Sequence, residues 1–317
     1  MTKAPAFAVY PPHRRGFLQR LARDFRLNKY KYLLIVPVLI ILALFAYKPM
    51  YGLVIAFKNF RPRLGIDGSK WVGLKNFENI FGDLYFGRLL RNTLSISLLN
   101  ILFGFPLPIM LALLLNEVRS NSFKRTVQTV TYMPYFVSMV VSCALVRVYC
   151  QSSGIFSDII VSLGGERQNL LTNPRYFYPI YIISDLWQFV GWNSIIYLAA
   201  LSSIDQEQYE AARIDGAGRF KQVLHITLPG LMPTITVLFI LRMGSVLNVG
   251  FEKVLLLYSE ATYEVADVIS TYVYRRGIID LDYSYATAMG LFNSVVNVAF
   301  LLTANMLIKK HSDSALF

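Results

Sequence analysis

The sequence predicts an all-α integral membrane protein with six transmembrane helices, and three observations carry that prediction. Of 317 residues, 55% are hydrophobic and only 16% charged, against about 25% charged in an average globular domain. Six apolar runs have about the length needed to cross a bilayer, at Tyr32–Phe57, Asn92–Leu115, Val127–Tyr149, Tyr178–Leu201, Leu231–Gly250 and Tyr285–Ile308. Lys and Arg gather in alternate connections, as the positive-inside rule requires.

The chain opens on a basic arm, residues 1–31, in which RRGFLQRLARDFRLNKYK interleaves Phe17, Leu18, Leu21 and Phe25 with arginines at helical spacing. That pattern suits either a helix lying on the inner leaflet or a basic tail that only fixes topology. The run that follows is too long for the apolar region of a cleavable signal, so it is expected to remain as the first span. Pro37, Pro49, Pro106, Pro108 and Pro134 fall inside the first three runs and predict kinks, because neighbouring helices can satisfy the freed carbonyls. Cys143 and Cys150 share one apolar run without metal-ligand spacing and are read as two buried thiols.

The arm, the connection holding Arg119, Lys124 and Arg125, the one holding Arg213, Arg219 and Lys221, and the end at Lys309 and Lys310 are all basic. They are placed on one side, the cytoplasm, with both termini. The connection before the last span carries Glu252, Glu260, Glu264, Asp267, Asp280 and Asp282 and is placed outside. The net charge of +12 is thereby explained by topology, and nucleic acid is not expected as a partner. Residues 32–310 form one six-helix domain, followed by a tail at 311–317.

The fourth connection, residues 202–230, is the most informative. Residues 210–229 read EAARIDGAGRFKQVLHITLP between two apolar runs. Lipid cannot accommodate Glu210, Arg213, Asp215, Arg219 and Lys221, so the segment lies in water. Its spacing predicts a short helix, a turn at Gly216, a second short helix and a stop at Pro229. Isolated helices of this length are marginal in water, which points to packing on a partner.

No GxxxxGK[ST] phosphate loop occurs, and DGAGRF is not one. His13, His225 and His311 have no carboxylate or Cys partners at ligand spacing, so no metal site is expected.

The order EAA, three residues, Gly216, nine residues, then Ile226-x-Leu228-Pro229 resembles the signature loop of permease subunits in binding-protein-dependent ABC importers. Between Trp71 and Lys310, VGLKNF, RNTLSIS, TYMPYF, DLWQFVGWNS, GFEKVLLL, DVISTYVYRRG and YSYATAMGLF are similar to the sugar-importer branch related to the maltose permeases, particularly permeases for polysaccharide uptake. The resemblance implies a type I ABC importer permease fold with a cytoplasmic EAA coupling-helix loop in the bacterial inner membrane. It implies as partners a second homologous permease, two ATPase subunits, an extracytoplasmic solute-binding protein and a saccharide. ATP and Mg²⁺ would be bound by the ATPases, with no cofactor in this chain and no catalysis of its own.

On that resemblance Glu210 accepts hydrogen bonds from an ATPase, Ala211 and Ala212 allow close approach, and Asp215 and Gly216 form the turn. Ile226 and Leu228 pack the second helix back on the membrane domain, and Pro229 begins the next span. Trp187 and Trp192 fall where maltose permeases place sugar-contacting residues; Asn193 and Tyr197 lie on the same helix. Arg242 is placed mid-span, where facing lipid would cost about 3 kcal/mol or more. Two readings stay open: a structural pair with an acid such as Asp185, or a path residue that meets an acidic, alginate-like uronate saccharide. Asn248, Asn293 and Asn297 add hydrogen-bonding capacity nearby, which interhelical contacts would use equally. The competing readings are an importer permease for a non-sugar solute and an intramembrane enzyme built on Arg147, Asp185 and Arg242.

Overall fold

A computed structural model of the chain describes residues 24–310. The expectations for the arm before Asp24 and for the tail 311–317 lie outside the described residues. The chain divides after Val54 into two compact units. Helix α1 (Lys29–Phe57) occupies nearly all of the described part of the first. Its Lys29–Leu42 stretch buries no residue, the signature of a helix whose apolar surface is meant for lipid or another protein.

The second unit starts with a two-stranded antiparallel hairpin, β1 (Lys58–Arg61) and β2 (Ser69–Trp71), with Lys58 opposite Trp71. Short helix α2 (Lys75–Phe81) closes over it. The buried Asn76 amide donates to the carbonyls of Ala56 (2.8 Å) and Lys58 (3.0 Å). Helix α3 (Phe86–Glu117) follows, then α4 (Asn121–Tyr132), α5 (Met139–Cys150) and α6 (Ile155–Ser162). The long α7 (Pro174–Leu201) leads to α8 (Gln206–Ile214) and the continuous α9 (Arg219–Met243). Last come α10 (Phe251–Leu257), α11 (Ile269–Tyr274) and α12 (Tyr283–Lys309).

Among the described residues, α1, α3, the α5–α6 stretch, α9 and α12 are long and apolar enough to cross a membrane. The fourth expected run coincides with α7, whose 28 residues span about 42 Å. Helix α7 carries Ser184, Asp185, Gln188 and Asn193 and packs along α3, α4 and α9, so it faces other protein.

Three sequence expectations need correction. The third run is not one helix: α4 ends in a 3₁₀ turn at Met133–Phe136, Val137 is extended, and Ser138 caps the new start by accepting from the Val141 N–H. Pro134 causes the break, since it has no N–H to continue the ladder. Pro229 neither stops nor starts a helix, because α9 runs through it from Arg219. The fifth span therefore begins earlier than expected and ends at Met243, which puts Arg242 in its last turn rather than mid-span.

Three prolines act instead by widening the preceding turn. π-helical segments at Ala43–Tyr47, Asn100–Gly104 and Val223–Thr227 stand directly ahead of Pro49, Pro106 and Pro229. A proline ring displaces the carbonyl four residues back, and a wider turn accommodates it.

Buried polar side chains tie distant segments together. Asn92 donates to the carbonyls of Glu264 (3.0 Å) and Asp267 (2.9 Å), and the Thr93 hydroxyl accepts from the Ile269 N–H (3.0 Å). Fully buried Asp267 is ion-paired with Arg275 and accepts from Thr271. Asp83, in the α2–α3 turn, accepts from the hydroxyls of Tyr272 (2.7 Å) and Tyr285 (3.0 Å). Burial opposes its ionisation, but these bonds, the Tyr85 N–H and nearby Arg276 outweigh that and hold its carboxyl below the ordinary carboxylate value.

Candidate functional site

Two places gather the residues singled out by sequence. The first is a cavity of about 730 Å³ bounded by α3, α5, α7, α9, α10 and the connection after α9. Helix α7 builds one wall, because Tyr181, Asp185, Phe189, Trp192 and Ile196 recur at helical spacing on one face. Phe105 and Pro108 come from the proline-kinked part of α3, and Arg242 from the end of α9.

Of the expected path residues, Trp192, Asn193, Tyr197, Arg242 and Asn248 line this cavity. The indole of Trp192 lies flat on Tyr135, with centroids 4.2 Å apart and planes 2° from parallel, and Phe136 meets it edge-on. Asn293 and Asn297 sit behind the wall. Both donate to the Asn248 Oδ1, at 3.0 and 3.2 Å, and the Asn297 Oδ1 accepts from the Leu247 N–H at 2.9 Å. Thus α12 fixes the connection that carries Asn248. Trp187 does not line the cavity: two residues on from Asp185, it points to another face of α7 and is 48% exposed.

The expected Arg242–Asp185 pair is not formed. Asp185 is taken by Lys253, whose Nζ lies 3.0 Å from the Asp185 Oδ1 and 4.8 Å over the Tyr181 ring. The Lys253 side chain is only 3% exposed. Sequence reading missed it by assigning residues 251–282 to a water-exposed connection. The signal was available in FEKVLLL, a lysine followed at once by four apolar residues. That run is too short to span but apolar enough to be buried.

The second place is the α8–α9 connection. Asp205 caps α8 by accepting from the Glu207 N–H (3.0 Å). At the other end Gly216 adopts φ +76°; its N–H bonds the Arg213 carbonyl at 3.1 Å and the Ala217 N–H bonds the Ala212 carbonyl at 2.8 Å. This is a Schellman stop, which favours glycine at its left-handed position. The Tyr209 hydroxyl, 3.0 Å from the Thr227 hydroxyl, fastens α8 to the base of α9. Glu210, Ala211, Asp215 and Gly216 are exposed, Ala212, Ile226 and Leu228 half-buried, and Pro229 exposed. Ile214 and Phe220 stand 87% and 79% exposed in this otherwise polar loop.

The profile of the family described as "Binding-protein-dependent transport system inner membrane component" matches residues 104–312, a stretch that includes α7, the Gly216 connection and α9. The chain is a permease subunit of a binding-protein-dependent ABC importer. The permease is 46% identical over 303 residues to Protein LplB of Bacillus subtilis (strain 168), covering 95% of this chain and 94% of that one. It is also 46% identical over 291 residues to the polygalacturonan/rhamnogalacturonan transport system permease protein YteP of the same organism, covering 92% and 91%. Among solved structures it superposes with a TM-score of 0.85 and 43% identity on a chain of a bacterial ABC transporter involved in import of the acidic polysaccharide alginate, over 93% of this permease and all of that chain. A second structure, of a bacterial alginate ABC transporter in complex with an alginate pentasaccharide-bound periplasmic protein, matches with a TM-score of 0.86 and 42% identity. The permease has the type I importer fold and crosses the membrane several times.

Proposed function

We propose that this permease moves an oligo- or polysaccharide of the acidic, uronate-containing class into the cytoplasm, by exposing its cavity alternately to the two sides of the inner membrane. The observation that carries this reading is the lining of the cavity. It combines a flat aromatic surface at Trp192, carboxamides at Asn193 and Asn248, and the Arg242 guanidinium, which has no ion-pair partner among the described residues. Aromatic faces suit pyranose rings, carboxamides suit hydroxyls, and a free guanidinium suits a carboxylate. The similarity to permeases named for polygalacturonan and alginate transport supports the same class.

Energy comes from elsewhere, since the sequence contains no phosphate-binding loop. Two separate ATPase subunits dock on the connection 202–230, with Glu210 and Asp215 at the polar contact and Ile214 and Phe220 in an apolar groove of the ATPase. Ala211 and Ala212 permit close approach, Gly216 sets the angle between α8 and α9, and Ile226, Leu228 and Pro229 transmit motion into α9. A second homologous permease completes the pore, and an extracytoplasmic binding protein delivers cargo. Both termini, the arm 1–31 and the tail 311–317 are cytoplasmic, flanking the domain 32–310.

The test is reconstitution of the complete assembly in proteoliposomes. Oligogalacturonate or oligoalginate presented with the binding protein should accumulate inside and stimulate ATP hydrolysis, and this chain alone should do neither. Uptake by the chain alone, or stimulation by a non-saccharide solute and by no saccharide, overturns the reading.

A further inference from the structure

The cavity carries three formal charges, and two of them cancel. Lys253 is held by Asp185, with side chains only 3% and 22% exposed, while Arg242 opens on the same space with no ion pair among the described residues. A buried ammonium without a carboxylate would bear a desolvation penalty of several kcal/mol. Asp185 offsets that penalty and, 3.0 Å away, occupies the Lys253 ammonium so that it is unavailable to cargo. Both partners line the cavity, so this neutralisation takes place within reach of the cargo.

We infer that Asp185 is a specificity-determining residue: it acts as an internal competitor for cargo carboxylates, holding the cavity at one free cation instead of two. This rests on the reading of the cavity as an acidic saccharide path. A transport site must attract its cargo strongly enough for entry and weakly enough for release. One free guanidinium meets one uronate carboxylate at a time and lets it go. Without Asp185 a uronate carboxylate would take its place as the counter-ion of Lys253, so Arg242 and Lys253 would grip neighbouring uronates together and retain them. Asp185 thus tunes release, and Lys253 is a reserve cation that it keeps occupied. The geometry gives the two members of the pair opposite effects on acidic cargo, although both would weaken packing if the pair served structure alone.

The opposite signs make the test. The complete complex in nanodiscs, without binding protein, is titrated with a tetrameric uronate oligosaccharide by calorimetry at low and high salt; transport is measured in proteoliposomes with binding protein present. Asp185→Asn should bind the tetramer about fivefold more tightly, the upper end of the range for one partly exposed ion pair, with a steeper salt dependence and a slower maximal transport rate. Lys253→Met, which leaves Asp185 uncompensated, should weaken binding by a similar factor. The double variant, with Arg242 as its single free cation, should return to within about twofold of wild type. Shifts of the two single variants in the same direction, or unchanged binding in an intact Asp185→Asn complex, overturn the inference. If Asp185→Asn does not assemble, the double variant decides: near-wild-type affinity supports the inference, and a larger departure refutes it. The failure of the underlying reading looks different, since a wild-type complex that binds no uronate refutes the acidic path itself.

Discussion

At Gly191, helix α7 passes so close to α4 that a Cβ would lie 2.1 Å from the Thr131 carbonyl oxygen. This contact sits one residue from Trp192 and sets how near the Tyr135 ring comes to it. Gly191→Ala should destabilise the purified complex by about 1–3 kcal/mol, the usual range for overpacking, seen as a lower midpoint of thermal aggregation. Gly87→Ala, where the space around the glycine is open, should leave that midpoint unchanged. Equal midpoints for both variants would show that the backbones can part without penalty. The same scale explains why Arg242 kept two readings in sequence: charge sign shows that a partner is needed, but not which of several polar residues comes within 4 Å. Asp185 was considered as the partner of Arg242, but Lys253 takes it because α10, packed on α5, brings the ammonium to Asp185 beside Tyr181.

At the scale of elements, the α8–α9 connection shows how far local rules reach. The Asp205 cap, the end of α8 near Ile214 and the left-handed Gly216 all follow from residue type and spacing, because the bonds involved lie within a few residues of one another. If this connection docks an ATPase, the exposed carboxylate of Glu210 and the angle at Gly216 are what it uses. Glu210→Ala should leave membrane insertion intact and lower cargo-stimulated ATPase activity at least about tenfold, as expected of an interfacial contact worth over about 1.4 kcal/mol. Gly216→Pro cannot adopt φ +76° and should uncouple the complex further. Uptake at wild-type rates in both variants would refute the docking role. Where an element depends on a bond it must lose, hydropathy misled. Pro134 ends a helix that its apolar neighbours would have continued, and Pro229 sits inside one that it was expected to delimit.

At the scale of the whole molecule, the proposed orientation makes a plain prediction. In a chain whose Cys143 and Cys150 are replaced by alanine, a cysteine introduced at Ala217 should react with a membrane-impermeant maleimide only after permeabilisation. One at Lys70, exposed on the hairpin, should react in intact spheroplasts. The reverse pattern would invert the topology and remove the α8–α9 connection from reach of any cytoplasmic ATPase. Asn92, Thr93, Asp267 and Asp83 are equally a whole-molecule matter. Each bonds a segment more than 170 residues away in sequence, and Asp267 is held by Arg275 as well.

The amino-acid sequence by itself determined the membrane class, six apolar runs of about membrane-spanning length, and the α8–α9 connection with its glycine turn. Hydropathy, capping and turn chemistry act over one helix turn or one bilayer thickness, and such short-range effects are written in neighbouring residues. Only the tertiary structure decided the lining of the cavity. It moved Trp187 out, placed Asn293 and Asn297 behind Asn248, and brought in Tyr181 and Lys253. Which face of a helix meets which neighbour, and which of two cations captures a single carboxylate, depend on distances of a few ångströms between segments remote in the chain. Coulomb attraction and desolvation vary steeply over that range.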